Sequence, residues 1–301
     1  LSRSKFLAVV ALFFKKLTKR LPSSVQTDRL YALARFVSFH GRFPKRGGLY
    51  NDRLFFVKWD GYLDDAFIRT MTDKELVKDF IGSVVGKRHL VPTLAVLRSA
   101  EEIDAYSFPQ ACFVKGTAHS GAVLCTEDGQ IDRKRLKRWL RSTHHKVTRE
   151  RNYLGLTPKI IVEPFVFGSR FADDVKFYVY KGRVGVVHVD FDRHRQHTRR
   201  VYTRQWQELK VSFGKPEATG PYPRPACLDE MVAAAEKLGA HFDFVRVDMY
   251  VSGNEFRIGE LTHCPGSADR IFYPEGAEEM VSELVFGGED VAAPQKEQRL
   301  A

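Results

Sequence analysis

Apolar residues recur along this chain with two periods. Leu76, Val77, Phe80, Ile81 and Val84 fall three and four apart, the spacing of a helix with one buried face. Thr72 and Glu75 stand at capping-box spacing ahead of them, and Gly86 supplies a stop. Leu228, Met231, Val232, Ala235 and Leu238 repeat the helical period up to Gly239. Ser99 and Glu102 predict a short helix, and Leu136, Trp139 and Leu140 mark one face of a basic helix after Ile131. Between these lie short apolar runs bounded by turn residues, the signature of strands. They are LVPTLAVL (90–97), ACFVKG (111–116), AVLCT (122–126) and KIIVEPFVF (159–167). Two hairpins follow: VKFYVY with VGVVHVDF (175–191), and FDFVRVDMY with EFRIGELTH (242–263). This order predicts an α+β fold. Residues 23–70 alternate short apolar runs with Gly and basic residues, HGRFPKRGG (40–48) reads as a turn-rich linker, and 192–224, with little period, reads as ordered loops. No internal repeat is evident.

The first turns differ in character. Phe6 to Phe14 is an unbroken apolar run flanked by basic residues, far short of the roughly 20 needed to span a bilayer. Three readings stay open: a partly buried helix docked on the body, a basic helix on a membrane surface, and a cleaved signal. No small-x-small cleavage site follows, and opening on Leu1 leaves the true start of the chain open. No later segment reads as transmembrane.

Composition narrows the classes. A chain of 301 residues, 44% hydrophobic, can build one domain or two fused ones, which excludes a wholly disordered protein. Four scattered cysteines without a CxxC argue against a disulfide scaffold or structural zinc. With 48 Lys+Arg against 37 Asp+Glu the net charge is +11, which favours anionic partners without choosing among nucleotides, nucleic acid and acidic membrane. Aromatic residues do not interleave with the basic stretch 133–149, which counts against nucleic acid.

The last hairpin carries the most chemistry. A three-residue loop, Ser252-Gly253-Asn254, would set Val251 opposite Glu255, Arg246 opposite Glu260 and Asp248 opposite Ile258. Arg246, Asp248 and Glu260 would then share one face, with the two carboxylates as diagonal neighbours. Carboxylates that close repel unless a cation or a proton joins them, and hard oxygen donors suit Mg²⁺ or Mn²⁺. A two- or four-residue loop would break the shared face. The alternative is a pair of surface ion pairs, Asp248 with Arg246 and Glu260 with Arg257. Lys115 ends an apolar strand before the small-residue loop 117–121, where backbone N–H groups can face phosphates. GxxxxGK[ST] spacing is absent, and a solvated lysine is the simpler reading. Glu163 and Lys176 are strand residues of the same kind.

Seven segments, in order, resemble the TupA-like ATP-grasp proteins linked to teichuronopeptide and cell-surface polysaccharide biosynthesis. They are TDKE (72–75), ACFVKGTAHSG (111–121), KIIVEPFV (159–166), DDVKFYVYKGR (173–183), HVDFDR (188–193), FVRVDMY (244–250) and GELTHCPGS (259–267), across roughly 50–285. The resemblance implies an ATP-grasp fold, two α+β subdomains clasping a nucleotide, with an additional N-terminal region. Its implied parts are a basic N-terminal helical region and linker (1–48), the start of the body (49–109), a lid (110–162), a core with the metal site (163–290) and a polar tail (291–301). It implies ATP and Mg²⁺ (or Mn²⁺) as cofactors. Lys74, Lys115, Lys176 and Arg246 would meet the phosphates, with Ser120 and Gly121 in the loop over them. Glu163, Pro164 and Phe165 would lie along adenine. Asp248, Glu260 and Thr262 would hold the metal, Thr262 standing where many ATP-grasp enzymes place Asn. Lys115, Lys176 and Arg246 would be catalytic. Pro265-Gly266-Ser267 would turn the chain beside the acceptor.

One departure stands out. The family's loop often reads Lys-x-x-His-Gly-Ser-Gly, whereas here Ala118 holds the histidine position and His119 that of the first glycine. A Cβ there disfavours positive φ. The implied reaction activates a carboxylate as an acyl phosphate for attack by an amine. Arg193, His194, Arg195, His197, Arg199 and Arg200 would suit an anionic sugar, uronate or peptide acceptor. A glycosyl- or phosphotransferase of the same pathway and a catalytically inactive nucleotide- or nucleic-acid-binding protein stay as alternatives. The implied location is cytoplasmic, with peripheral contact at the inner face of the membrane left open. His144, His145, His188 and His241 read as packing histidines, and Cys264 as too isolated for a nucleophile.

Overall fold

A computed structural model describes residues 3–191 and 196–287. Arg193, His194 and Arg195, and the polar tail 291–301, fall outside these. Five helices come first: α1 (Arg3–Arg20), α2 (Val25–His40), α3 (Tyr50–Trp59), α4 (Ala66–Thr72) and α5 (Val77–Val85). Next come β1 (Ala95–Leu97), α6 (Ala100–Ala105), β2 (Cys112–Gly116), β3 (Val123–Thr126), α7 (Arg133–Trp139), α8 (His145–Thr148) and β4 (Ile160–Pro164). The second half holds β5 (Asp173–Tyr180), β6 (Arg183–Phe191), β7 (Thr198–Thr203), β8 (Glu208–Leu209), β9 (Ser212–Phe213) and α9 (Leu228–Gly239). It closes with β10 (Phe244–Ser252), β11 (Glu255–Thr262), β12 (Phe272–Tyr273) and α10 (Ala277–Phe286).

Two antiparallel sheets form the frame. The smaller runs β1-β4-β2-β3 and reaches back to Ala95, well before residue 110, because Leu97 pairs with Ile160. Alternation sends Cys112, Val114, Ile160 and Val162 inward to meet Ile103 of α6 and Leu136 of α7. Phe113, Lys115 and Glu163 are left on the opposite face. The larger sheet runs β11-β10-β5-β6-β7-β8. Val179 on one of its faces packs so closely on α9 that a Cβ on Gly239 would lie 2.2 Å from its Cγ1. The other face is divided along its length. At one end Tyr178 and Phe244 are covered by Tyr50 of α3 and Phe286 of α10. At the other end Arg246, Asp248, Lys176 and Asp174 form the polar floor of a cleft beneath the small sheet.

Several expectations shift. The helix expected from Thr72 begins at Val77, because Thr72 closes α4 by donating to the Ile68 carbonyl. Asp73 does the capping instead, accepting from the amides of Glu75 and Leu76. Leu76 falls before the helix and stays 42% exposed. The stretch from 23 to 72, for which no helix was expected before Thr72, holds α2, α3 and α4, whose Phe36, Tyr50, Leu54 and Ile68 join the main core. The loop 41–49 is tied down by Asp52, which accepts from the Arg42 guanidinium and from the amides of Lys45 and Leu49. Residues 198–203, 208–209 and 212–213 form strands where loops were expected. Adjacent buried arginines in β7, Arg199 and Arg200, hide its alternation.

α1 docks on α2 through buried Ala11 and Thr18 and leaves Phe6, Val9, Phe13, Phe14 and Leu17 exposed. The first turn of α2 carries a charge hub. Asp28 receives His145 Nε2 at 2.8 Å, Arg149 Nη1 at 2.8 Å and Arg151 Nη1 at 3.1 Å, joining α2 to the strap that follows α7. Burial alone would raise the Asp28 carboxyl, but bonds from His145, Arg149 and Ser23 outweigh it and bring it down to about 2. A folded-state value below the unfolded one stabilises at pH above about 4 and is lost as pH falls toward 2. Asp28→Asn should flatten that acid limb in urea titrations at stepped pH; an unchanged limb would show that other carboxylates govern it.

Candidate functional site

The β10–β11 hairpin turns through two residues, not three: Ser252 pairs with Glu255 across Gly253-Asn254. That register alone would send Glu260 to the far face. A β-bulge restores it. Met249 pairs with Ile258 and Asp248 with Glu260, so Gly259 is the extra residue. The two carboxylates are therefore directly opposite each other rather than diagonal, and Arg246 faces Thr262 rather than Glu260. Gly259 permits this because a Cβ there would lie 2.9 Å from the Tyr250 ring.

Pairing extends the row across the floor, from Glu260 to Asp248, Lys176 and His188. The Arg246 guanidinium grips both Asp248 oxygens at 2.6 Å, and Lys176 Nζ approaches Oδ2 at 3.0 Å while also bonding Asp174. Burial would raise the Asp248 carboxyl, but Arg246 and Lys176 hold it far below the usual range. Glu260 is looser: its side chain is 37% exposed, 3.5 Å from Lys74 Nζ and 3.9 Å from Arg246. Thr262 Oγ1 accepts from Arg246 at 3.2 Å. Among the described residues no three His, Cys, Asp or Glu side chains gather as a metal cage. Two facing carboxylates are nonetheless a donor set that fits Mg²⁺, which takes its remaining oxygens from water and phosphate.

Over this floor lies the small sheet. Glu163 lies between two lysines, with Lys115 Nζ on Oε2 and Lys78 Nζ on Oε1, each at 2.6 Å. Desolvation would raise its carboxyl, but Lys115 and Lys78 bring it down. Its carboxylate is thus committed to lysines. Lys78, from α5, was missed in the sequence: beside an apolar stripe it reads as an ordinary helix lysine. Phe113, Val123, Pro164, Val166 and Tyr250 close a cavity of about 300 Å³ around Lys115 and Glu163. The Phe165 ring packs on Phe113, centroids 5.0 Å apart.

The loop 117–121 resolves the sequence departure. His119 keeps negative φ and the positive φ falls on Gly121, at +72°. The His119 ring turns away from the floor and bonds the Trp139 carbonyl at 3.0 Å. Gly116 makes room, since a Cβ there would lie 2.9 Å from that ring. Lys74 Nζ donates to the His119 carbonyl at 2.6 Å. Ser120 and Gly121 line a second cavity of about 350 Å³, together with Lys74, Lys176, Arg246, Glu260 and Thr262. His144 lines it too; burial, with His119 and Lys74 nearby, lowers its pKa to about 4. His145 instead pairs with Asp28, His241 packs on Phe80, and His188 lies between Tyr178 and Phe213.

Alternation in β7 separates the two basic residues expected to act together. Arg199 pairs with Asp190 at 2.8 Å and lines the cleft. Arg200 points the other way, to Glu208, Glu217 and two backbone carbonyls, and holds the fold. Cys264 is buried, which pushes its thiol upward, and its sulfur lies 3.8 Å from the Leu54 carbonyl.

The family profile of the TupA-like ATPgrasp proteins matches residues 63–286. No curated protein matches the chain. Similar solved structures include the ATP-grasp ligase PsnB complexed with a minimal precursor, 15% identical over 71% of this chain and 59% of that one, TM-score 0.37. D-alanine-D-alanine ligase from Helicobacter pylori is 13% identical over 71% and 61%, TM-score 0.38. D-cycloserine synthetase DcsG is 16% identical over 72% and 70%, TM-score 0.40. The chain spans less than two thirds of the length of the first two.

Removing the charge of Glu163 would strand two buried ammonium groups. Glu163→Gln should therefore cost about 3 kcal/mol in chemical denaturation. A cost near zero would show that water already compensates Lys78 and Lys115.

Proposed function

The chain belongs to the TupA-like ATP-grasp family, and we propose that this enzyme is an ATP-dependent ligase activating a carboxylate for attack by an amine. The observation that carries the reading is the directly opposed Asp248 and Glu260, ringed by Lys74, Lys176 and Arg246 beneath Lys115. Adenine would occupy the 300 Å³ cavity against Phe113, with the backbone of Glu163 to Phe165 along its edge. The triphosphate would run toward Lys115, Lys176 and the loop at Ser120-Gly121. We read the small sheet as the lid, which excludes water when it closes.

Asp248 and Glu260, with Thr262 beside them, would hold Mg²⁺ or Mn²⁺, which would supply neutralisation of the phosphate charge. Arg246 already lies in a fork geometry beside that position and would stabilise the transferring phosphoryl group. A substrate carboxylate oxygen attacks the γ-phosphorus in line. The new O–P bond forms as the bond to the β-phosphate oxygen breaks, and ADP departs. An amine then attacks the acyl carbon, phosphate leaves, and the amine's proton goes to solvent or a base. The protein's part is positioning and charge compensation. We read its pathway as the synthesis or modification of a cell-surface polysaccharide or peptide polymer, with an anionic sugar, uronate or peptide as the acceptor, a reading supported by the basic residues of the cleft.

Calorimetric titration of ATP with and without Mg²⁺ tests this reading. Wild type should bind in a metal-dependent way, and Asp248→Asn and Glu260→Gln should weaken binding about tenfold or more. Both should abolish ADP release with carboxylate–amine pairs while circular dichroism stays native. Turnover unchanged in either variant would remove the metal assignment.

A membrane contact is favoured by one observation. α1 presents Phe6, Val9, Phe13, Phe14 and Leu17 outward, next to exposed Lys16 and Arg20. No helix among the described residues is long and apolar enough to cross a membrane. We read α1 as lying on the anionic inner face, which would place the enzyme in the cytoplasm at the membrane surface. Full-length protein should co-sediment with vesicles rich in phosphatidylglycerol but not with phosphatidylcholine alone, and Phe13→Ser with Phe14→Ser should release it. Equal sedimentation of the double variant would exclude α1 as the contact.

A further inference from the structure

Nearly every cation facing the larger cavity has a carboxylate of its own. Lys74 faces Glu260, Lys176 bridges Asp174 and Asp248, Arg246 grips Asp248, Arg199 pairs with Asp190, and Arg35 with Asp269. Arg270 and Lys215 are different. Both line the same cavity, and among the described residues neither side chain has a carboxylate or a hydrogen-bond acceptor in reach.

Arg270 is also held in place. Its amide donates to Asn51 Oδ1 at 3.0 Å and its carbonyl accepts from Asn51 Nδ2 at 2.9 Å, which fixes the backbone to α3. Its guanidinium lies between two glycines. A Cβ on Gly266 would sit 2.0 Å from Nε and one on Gly214 would sit 2.4 Å from Nη1. Both glycines have positive φ, +74° and +68°. Two backbone positions are thus shaped to admit a planar cation into the cleft instead of letting it swing into solvent. Burial lowers its proton affinity, and Arg199 and Arg246 nearby add to that, so its charge is uncompensated where compensation matters most. Lys215 follows Gly214 on the same corner, where the Pro216 carbonyl accepts the Arg199 amide at 2.8 Å.

We propose that Arg270 and Lys215 form an anion subsite for a group on the acceptor substrate that does not react, so that the substrate carries two anionic groups. One is the carboxylate activated beside Asp248 and Glu260; the other, a second carboxylate or a phosphate, is received by the Arg270 fork. This inference rests on the ligase reading for the first group only. The fork's planar donors suit either anion, and Lys215 adds a mobile point charge.

Calorimetry with full-length protein saturated with a non-hydrolysable ATP analogue and Mg²⁺ tests it, using acetate, glutarate and glucuronate 1-phosphate as probes. Glutarate or glucuronate 1-phosphate should bind at least about tenfold more tightly than acetate, and which of them binds reveals whether the second group is carboxylate or phosphate. Arg270→Met should erase that advantage, Arg270→Lys should keep part of it, and Lys215→Ala should reduce it. ATP affinity, measured separately on each variant, should stay within about twofold of wild type. Three results overturn the proposal: no advantage for either dianion, an advantage untouched in Arg270→Met, or loss of ATP affinity in Arg270→Met with native circular dichroism, which would give Arg270 to the nucleotide. Repeating the titration without nucleotide separates the two readings. Dianion binding that persists in a protein unable to bind ATP would leave the anion subsite standing and remove the ligase reading.

Discussion

The bidentate grip of Arg246 on Asp248 is the interaction around which the cleft is arranged. Both partners lie on one strand, two residues apart, buried on the face of a sheet whose reverse is packed against α9. A carboxylate placed there without a cation would be protonated, and a guanidinium there without a carboxylate would carry an uncompensated buried charge. Their pairing lets the neighbouring strands bring further charges to the same floor. Lys176 adds to Asp248 from β5, and Glu260 approaches across the bulge at Gly259. The floor is therefore a lattice of opposite charges in which each ion restrains its neighbours' side chains. Such prior ordering would lower the reorganisation that the phosphoryl transfer proposed above requires.

The same logic continues above the floor. Glu163 connects Lys78 of α5 to Lys115 of β2, so the small sheet is joined to the body by a buried three-membered ion chain. The loop 117–121 is held separately, by Lys74 on the carbonyl of His119 and by the His119 ring on the carbonyl of Trp139. His119 fits this loop because the left-handed geometry falls on Gly121 and Gly116 leaves space for its ring.

What could be read in the chain depended on whether charge followed a period. The hairpin VRVDMY…IGEL shows its floor residues because arginine and aspartate alternate with Val and Met, and period two survives the charges. Lys115 was visible at the end of an apolar run for the same reason. Gly259 was a signal that went unread: an isolated glycine within a strand pattern marks a bulge, and here it decides which carboxylates meet. β7 was hidden because Arg199 and Arg200 are both buried, on opposite faces, each among its own acids. Lys78 and Arg270 could not be picked out, since their surroundings come from segments distant in sequence. α2 and α3 escaped because their buried faces are aromatic and mixed with polar anchors such as Asn51 and Asp52, which blur the helical stripe.

Those anchors bear on where this protein can be divided. The family match begins at residue 63, yet no seam exists there. Phe36, Tyr50 and Leu54 share one core with Phe177 and Val247. Lys58 holds the Ser267 carbonyl at 2.6 Å, in a turn where Gly266, Ser267 and Ala268 all take left-handed φ. Asn51 clasps the backbone of Arg270, and Asp28 fastens the strap that follows α7. The amino-terminal helices thus act as scaffolding for a cleft whose signature residues all come later in the chain. A family boundary drawn from shared motifs marks where similarity starts, and the folding unit extends past it.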